Sequence, residues 1–261
     1  MADESRNDEV QVTHHDAVAT LTLTRPALTR EAKEALRDAL RQLAEDQSVR
    51  AVVFTGSGKA FCVGQDLAEH AAALRADPGT AFATIDEHYN PIVTALATMP
   101  KPVIAAVNGT CVGAGLGFAL ACDIRVIAES ARFGTAFSGI GLVPDSGLSA
   151  TLARAVGTAR ATELILLAEP FSAAQALEWG IAGRVAPAEE LAGTAATIAA
   201  RLAAGPTRAY AEAKQVLAAA FPLGEVLRAE GAAQARLGRT ADHQQAVEAF
   251  LGKTKPVFSG E

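Results

Sequence analysis

Asp145 stands in Gly139-Ile-Gly-Leu-Val-Pro-Asp-Ser-Gly147, one of three glycine-rich stretches of the chain. The others are Ala60-Phe-Cys-Val-Gly-Gln-Asp-Leu67 and Asn108-Gly-Thr-Cys-Val-Gly-Ala-Gly-Leu-Gly117. Each falls where a strand is expected to end. The first backbone N–H groups of a helix have no partner within it. Small residues beside them let a ligand carbonyl approach, and two such segments on neighbouring strands could supply one N–H each to an oxyanion. The glycines would serve equally to let strands and helices pack closely, and spacing alone leaves both readings open. Asp145 likewise reads either as a carboxylate for proton transfer or as an N-cap for a helix starting at Ser146.

Other chemistries find little support. VGAGLG follows a buried strand as a dinucleotide fingerprint would, but its glycines fall at 113, 115 and 117, and Phe118 stands where the third is needed. Walker A, GxSxG and HExxH patterns are absent, and the histidines (His14, His15, His70, His88, His243) are scattered, so no metal is expected. Cys62, Cys111 and Cys122 are odd in number and lack CxxC spacing, which fits a reducing compartment. A net charge of −6 argues against non-specific nucleic-acid binding. The acidic start MADESRNDEV resembles neither a signal nor a transit peptide, and no apolar run reaches the roughly 18 residues of a membrane helix. A soluble cytoplasmic protein with no membrane and no nucleic-acid partner is expected.

The elements that must position these segments follow from periodicity. Residues 1–9 read as a disordered tail, and VQVTHH and VATLTL as two strands joined at Asp16-Ala17. A helix over about 31–46 places Ala32, Leu36, Leu40 and Leu43 on one face. Glu31, Lys33, Glu34 and Arg37 are assigned to its solvated side. Strands are expected at 50–55, 101–108 and 123–128, the second apolar enough to be buried on both faces. Helices at 80–98, 113–121 and 146–156 alternate with them, as in stacked βα units. Beyond residue 157 only helices are expected (158–168, 172–179, 187–204, 206–219, 222–237, 240–252), punctuated by glycines and by Pro206 and Pro222. This alanine-rich tail could fold alone, cover the first part, or pack against another subunit. At 261 residues, half of them hydrophobic, the chain can bury its core without staples.

Taken together, AFCVGQDL, PKPVIAAVNGTCVGAGLGFALACDIRVIAESARFG and IGLVPDSG resemble the enoyl-CoA hydratase/isomerase (crotonase) superfamily, over about Val10 to Phe258. Within it, GQDL, YNPIV, GLVPDSG and GRTADHQQAVEAFL are most similar to the ring-1,2-epoxyphenylacetyl-CoA isomerases of phenylacetate breakdown. The resemblance implies an α/β fold, the crotonase (ClpP-like) spiral of ββα units over 10–200, followed by an all-helical region over 201–261. It also implies a homotrimer or homohexamer assembled through that region.

The resemblance further implies an acyl-CoA thioester substrate, coenzyme A being part of the substrate and no separate cofactor being needed. The backbone N–H groups of Gln65 and Ala114 match the family's oxyanion hole. Arg25, Ala27, Leu28, Cys62, Val63, Asp66 and Leu67 match the segments that cradle coenzyme A, and Lys253 and Lys255 are either phosphate contacts or plain surface charges. The two glutamates with which hydratases activate water are replaced by Gly117 and Phe137. That leaves Asp145 as the acid/base of an isomerase, with Gly117, Phe137, Leu142 and Asn90 about the acyl group. An enoyl-CoA hydratase, an aryl-CoA dehalogenase and a non-catalytic acyl-CoA-binding protein are the competing readings. The dehalogenase branch pairs its Asp with a Trp and a His, where this chain has Phe137 and Asn90.

Overall fold

The computed structural model describes residues 4–6, 9–205, 207–219 and 223–256. Strands β1 (Glu4–Arg6), β2 (Val10–His15) and β3 (Val18–Leu23) form an antiparallel meander. The segment expected as a disordered tail thus contains a strand, Glu4–Arg6, which pairs along β2 and covers an edge that would otherwise be open. Residues 1–3 and 7–8 of that expected tail, and Pro206 and Pro222, lie outside the described residues.

Strands β4 (Ala51–Gly56), β6 (Val103–Val107), β8 (Ile124–Ala128) and β11 (Arg184–Ala186) extend the meander in parallel, in the order β1-β2-β3-β4-β6-β8-β11. A second sheet, β10-β9-β7-β5, is built from short strands: β5 (Ala60–Cys62), β7 (Thr110–Val112), β9 (Arg132–Gly134) and β10 (Phe171–Ser172). Each turn of the chain places one strand in the large sheet and the next in the small one, then a helix. This is the spiral of ββα units. The small sheet, with short strands at 60–62 and 110–112, was not expected from the sequence. Likewise β10 and β11 correct the expectation of helices alone after residue 157.

The large sheet is buried on both faces, which is why β6 reads VIAAV without alternation. On one face lies α8 (Leu191–Ala203), whose Ala195, Ala199 and Ala203 recur every fourth residue and pack against Ala51, Ile104 and Val126. On the other lies the main core, including α1 (Arg30–Glu45), capped by Thr29, and α3 (Asn90–Thr98). Lys33 of α1 corrects the solvated-face reading. It is 1% exposed, its stem crosses the core edge, and its ammonium donates to Thr84 Oγ1 at 2.9 Å and lies 3.5 Å from Glu69 Oε1.

Helix α2 (Leu67–Ala76), not expected from the sequence, follows β5 directly. A π turn (Ile85–Tyr89) precedes α3, and α4 (Ala114–Ala121) follows β7. Next come a 3-10 turn (Ser138–Ile140), α5 (Leu148–Val156), α6 (Thr158–Leu167) and α7 (Ala173–Glu178). The last three helices, α9 (Thr207–Ala219), α10 (Leu223–Leu237) and α11 (Ala241–Leu251), lie on the α/β core: α9 on α3, α10 on α5, α11 on α2 and the 3-10 turn. The tail therefore covers the first part of its own chain.

Candidate active site

The first two glycine-rich segments meet at the ends of β5 and β7. Leu28 forms an isolated parallel bridge with Gln65: its N–H donates to the Gly64 carbonyl at 2.8 Å, and its carbonyl accepts from Asp66 N–H at 3.0 Å. That pattern engages the residues on either side of Gln65 and leaves its own N–H turned away. Gly113, at φ 57°, ends β7 in a conformation that favours glycine and sets Ala114 as the first residue of α4. Among the described residues neither the Gln65 nor the Ala114 N–H has a backbone acceptor. A Cβ built on Gly64 would lie 3.6 Å from the Ala114 nitrogen, so the two amides border one space.

That space is the end of a cavity of ≈ 690 Å³. Of the residues singled out from the sequence, Gln65, Ala114, Phe137, Leu142, Asp145, Ala27, Val63, Asp66 and Leu67 line it. Leu28 and Cys62 sit behind the wall, fully buried. Arg25 is exposed, 3.7 Å from Glu9. Asn90 is not among the lining residues. It is the first residue of α3, and its side-chain amide donates to Asp86 Oδ1 at 2.8 Å. Gly117 lies behind the Asp145 turn, where a Cβ would come 2.7 Å from Ser146 Cβ and 2.8 Å from Ser146 O. Lys253 and Lys255 are exposed.

Asp145 is not the cap of the following helix. Helix α5 starts at Leu148 behind Gly147, which takes a left-handed conformation (φ 68°), and has no side-chain cap. Asp145 is instead 7% exposed and walled by Phe137 and Leu142. Its Oδ1 accepts from Ser146 Oγ at 2.8 Å and its Oδ2 from Gln234 Nε2 at 3.3 Å. Burial pushes its pKa from 3.8 up to about 6, partly opposed by the Ser146 hydroxyl and the Lys33 charge. Asp66, the other acid on the wall, holds the loop: its Oδ1 caps α2 at the Glu69 N–H, 2.8 Å away.

Several cavity groups were not legible in the sequence. Tyr89, from the π turn, and Gln234, from α10, reach the cavity, and each buries a polar oxygen with no partner among the described residues. Such a group typically costs about 1–3 kcal/mol. His70 and His243 join α2 to α11 behind them, Nε2 to Nε2 at 2.9 Å, and both are buried. His243 Nδ1 faces the Ile140 carbonyl at 2.7 Å, so it carries the hydrogen. His243 Nε2 then accepts from His70 Nε2–H, and His70 Nδ1 faces the Gln65 side-chain amide at 3.5 Å. Burial and the neighbouring cationic groups bring His70 down to about 4. For Tyr89 the only signal was its place in YNPIV beside Asn90. Gln234 gave none beyond being an amide in an alanine-rich helix.

The arrangement offers two amides for an anionic oxygen, one raised carboxyl within an apolar chamber, and an open mouth beside β5. Comparison with known proteins agrees with this chemistry. Residues 13–261 match the family model described as enoyl-CoA hydratase/isomerase. The 1,2-epoxyphenylacetyl-CoA isomerase of Escherichia coli (strain K12) is 41% identical, over 94% of this chain and 95% of its own. A probable enoyl-CoA hydratase of Rhodobacter capsulatus is 39% identical over the same shares. The crystal structure of an enoyl-CoA hydratase from Mycobacterium avium subsp. paratuberculosis superposes with a TM-score of 0.85 at 35% identity, covering 96% of this chain and 98% of that one. With the family model matched over 13–261, relatives near 40% identical over 94% of the chain, and the spiral fold shared, the chain belongs to the enoyl-CoA hydratase/isomerase family.

Proposed function

We propose that the protein isomerises acyl-CoA thioesters through an enolate, with Asp145 as its single acid/base. Coenzyme A enters along the Ala27 and Val63–Leu67 wall. The thioester oxygen takes hydrogen bonds from the Gln65 and Ala114 N–H groups. Asp145 removes the proton on the carbon next to the thioester, and the electron pair moves onto the thioester oxygen. In a double-bond shift the carboxyl then returns the proton farther along the conjugated chain. In an epoxide rearrangement the same enolate assists ring opening. Charge develops on the oxygen only in the transition state, so each amide lost costs about 2.7–4 kcal/mol of barrier lowering.

The observation that carries this reading is the buried Asp145 carboxyl, raised to about 6, while Asp66, the other acid on the cavity wall among the described residues, is engaged in capping α2. A base near 6 is ionised at neutral pH, yet once protonated it is acidic enough to give the proton back. Hydration would need a second group to orient water, and Gly117 and Phe137 provide none. Both resemblances in name, to an isomerase and to a probable hydratase, are accounted for by one enolate chemistry. Assembly as a trimer or hexamer is part of this reading and is measured by light scattering.

The test is a proton NMR time course in D₂O with a 3-enoyl-CoA, wild type beside Asp145→Asn. Movement of the double bond with deuterium entering next to the thioester, both lost in the variant, is expected. Accumulation of 3-hydroxyacyl-CoA from a 2-enoyl-CoA without isomerisation would make the protein a hydratase. Binding of acyl-CoA with neither reaction, on any acyl group, would leave it a binding protein.

A further inference from the structure

The Tyr89 hydroxyl and the Gln234 carbonyl oxygen are buried polar atoms with no partner among the described residues. Both side chains are 1% exposed, and both line the cavity that holds Asp145. Neither can turn away easily. Gln234 Nε2 donates to the Val143 carbonyl at 2.7 Å and to Asp145 Oδ2 at 3.3 Å, which uses both amide hydrogens. Flipping the amide would set its oxygen against a carbonyl and a carboxylate. Gln234 therefore presents Oε1 as an acceptor only. The Tyr89 ring is held between the Lys33 ammonium, 5.5 Å from its centroid, and the Phe118 ring at 6.1 Å. Burial and the Asp145 charge push its pKa well up, so the hydroxyl keeps its hydrogen and acts as a donor.

A plain hydrocarbon acyl group would leave both atoms unpaired and seal them from water. An oxygen on the acyl group would not. A hydroxyl meets both, accepting from Tyr89 and donating to Gln234, whereas a cyclic ether oxygen meets Tyr89 alone. We propose that Tyr89 and Gln234 form a specificity subsite for an oxygen borne by the acyl group away from the thioester, so that oxygenated acyl-CoAs are preferred over hydrocarbon ones. The two residues come from the π turn before α3 and from α10, so the carboxy-terminal helices take part in choosing the substrate. This rests on the reading above only in that the ligand is an acyl-CoA; it does not require isomerisation.

Binding of acyl-CoAs that have no double bond to move tests it by isothermal titration. Phenylacetyl-CoA is compared with 2-hydroxyphenylacetyl-CoA, and hexanoyl-CoA with 5-hydroxyhexanoyl-CoA, in wild type and Tyr89→Phe. Wild type is expected to bind the hydroxylated member of at least one pair about tenfold more tightly. Tyr89→Phe should bring that ratio to within about twofold, without lowering the unfolding midpoint, because the oxygen removed has no partner to lose. An ether counterpart, 2-methoxyphenylacetyl-CoA, separates the two oxygen types: a preference retained for the ether assigns the selection to Tyr89 alone. Equal affinities within both pairs in wild type, or an unchanged ratio in Tyr89→Phe, would overturn the subsite. Failure of every acyl-CoA to bind would instead overturn the proposed function, so the two failures are told apart.

Discussion

By the family resemblance Gly117 stands where hydratases carry a glutamate, and the geometry gives a reason beyond chemistry. A Cβ there would sit 2.7 Å from Ser146 Cβ and 2.8 Å from Ser146 O. Ser146 is fully buried at φ 54°, next to Asp145, so the obstacle is backbone that no rotamer change can clear. Nor can α4 back away. Two residues earlier a Cβ on Gly115 would meet Cys62 O at 2.2 Å, so the helix is wedged between β5 and the Asp145 turn. Ordinary contact begins near 3.4 Å, so the turn must retreat by about 0.7 Å to admit a methyl group. Overpacking of this kind costs about 1–3 kcal/mol, or about 2–4 °C of melting temperature per kcal/mol in a chain this size. A misplacement of about 1 Å at a reacting group can cost about 100-fold in rate. Gly117→Ala is therefore expected to melt several degrees lower and to exchange the proton next to the thioester at least about tenfold more slowly. Gly117→Glu should lose exchange altogether and gain no hydration of a 2-enoyl-CoA. The assays are thermal unfolding and NMR exchange at one pH. Wild-type melting and turnover in Gly117→Ala would refute the wedge, and hydration by Gly117→Glu would show that the missing carboxylate alone separates the two reactions.

Three further outcomes follow from the same coordinates. Asp145 holds its proton more tightly when folded, about 6 against 3.8, so its ionised form costs stability above pH 6. Asp145→Asn should melt higher than wild type at pH 8, by on the order of 3 kcal/mol, with the gain fading toward pH 4; a gain independent of pH would contradict the shift. His70 and His243 both titrate lower when folded, so the pair favours folding at neutral pH and withdraws that support as pH falls below about 6.5 through about 4. The double variant His70→Phe, His243→Leu should show a shallower loss of stability over that window, and an equal slope would sink the pairing. Burial pushes the Cys62 and Cys122 thiols up to about 12 and raises the Cys111 thiol well above its ordinary value. All three should react with a disulfide reagent only at the rate of unfolding, and rapid labelling of native protein would show an opening the fold does not have.

Most of the large sheet was legible because its strands carry their own pattern: alternation in β3, unbroken apolar runs in β4 and β6; its three-residue strands β1 and β11 were not. The small sheet was not. Strands β5, β7 and β9 are three residues each, the first two inside glycine-rich segments, and they exist because they pair with one another across distant turns of the spiral. Helix α2 escaped notice because LAEHAAALRA buries only His70, Ala71 and Leu74, too weak a stripe to read. The positions Gln65, Ala114 and Asp145 were legible because the motifs that carry the family resemblance are local stretches of sequence. Gln234 is 89 residues from the carboxyl it touches, and no local pattern reports such a contact. Lys33 was misjudged for a related reason: its neighbours on α1 are charged and solvated, while its partner Thr84 lies 51 residues away.

What the sequence hides and what the fold tolerates meet around the cavity, while Asp16, Ala168 and Lys253 hold positive φ elsewhere. The described residues satisfy most of their polar groups and keep most non-glycine residues out of left-handed backbone. Around the cavity those rules lapse together. Ala136 and Ser146 hold φ of 64° and 54°, Asp145 is buried with only neutral donors in direct contact, and Tyr89 and Gln234 bury unpaired oxygens. Each lapse costs stability, of order 1–3 kcal/mol for a strained residue and about as much for an orphaned polar atom. Packing alone would remove them: an alanine-to-glycine change at 136, a phenylalanine at 89 and an apolar residue at 145 all suit the surrounding core better. Their concentration in a single chamber, beside two free amides, is what a frame built to receive a polar ligand requires. The same reasoning sets the order in which stabilising substitutions should be found. Those at Tyr89 and Asp145 raise the melting temperature and remove recognition or chemistry, whereas the alanine stripe of α8, which packs only against the far face of the sheet, can be altered only at the expense of the fold.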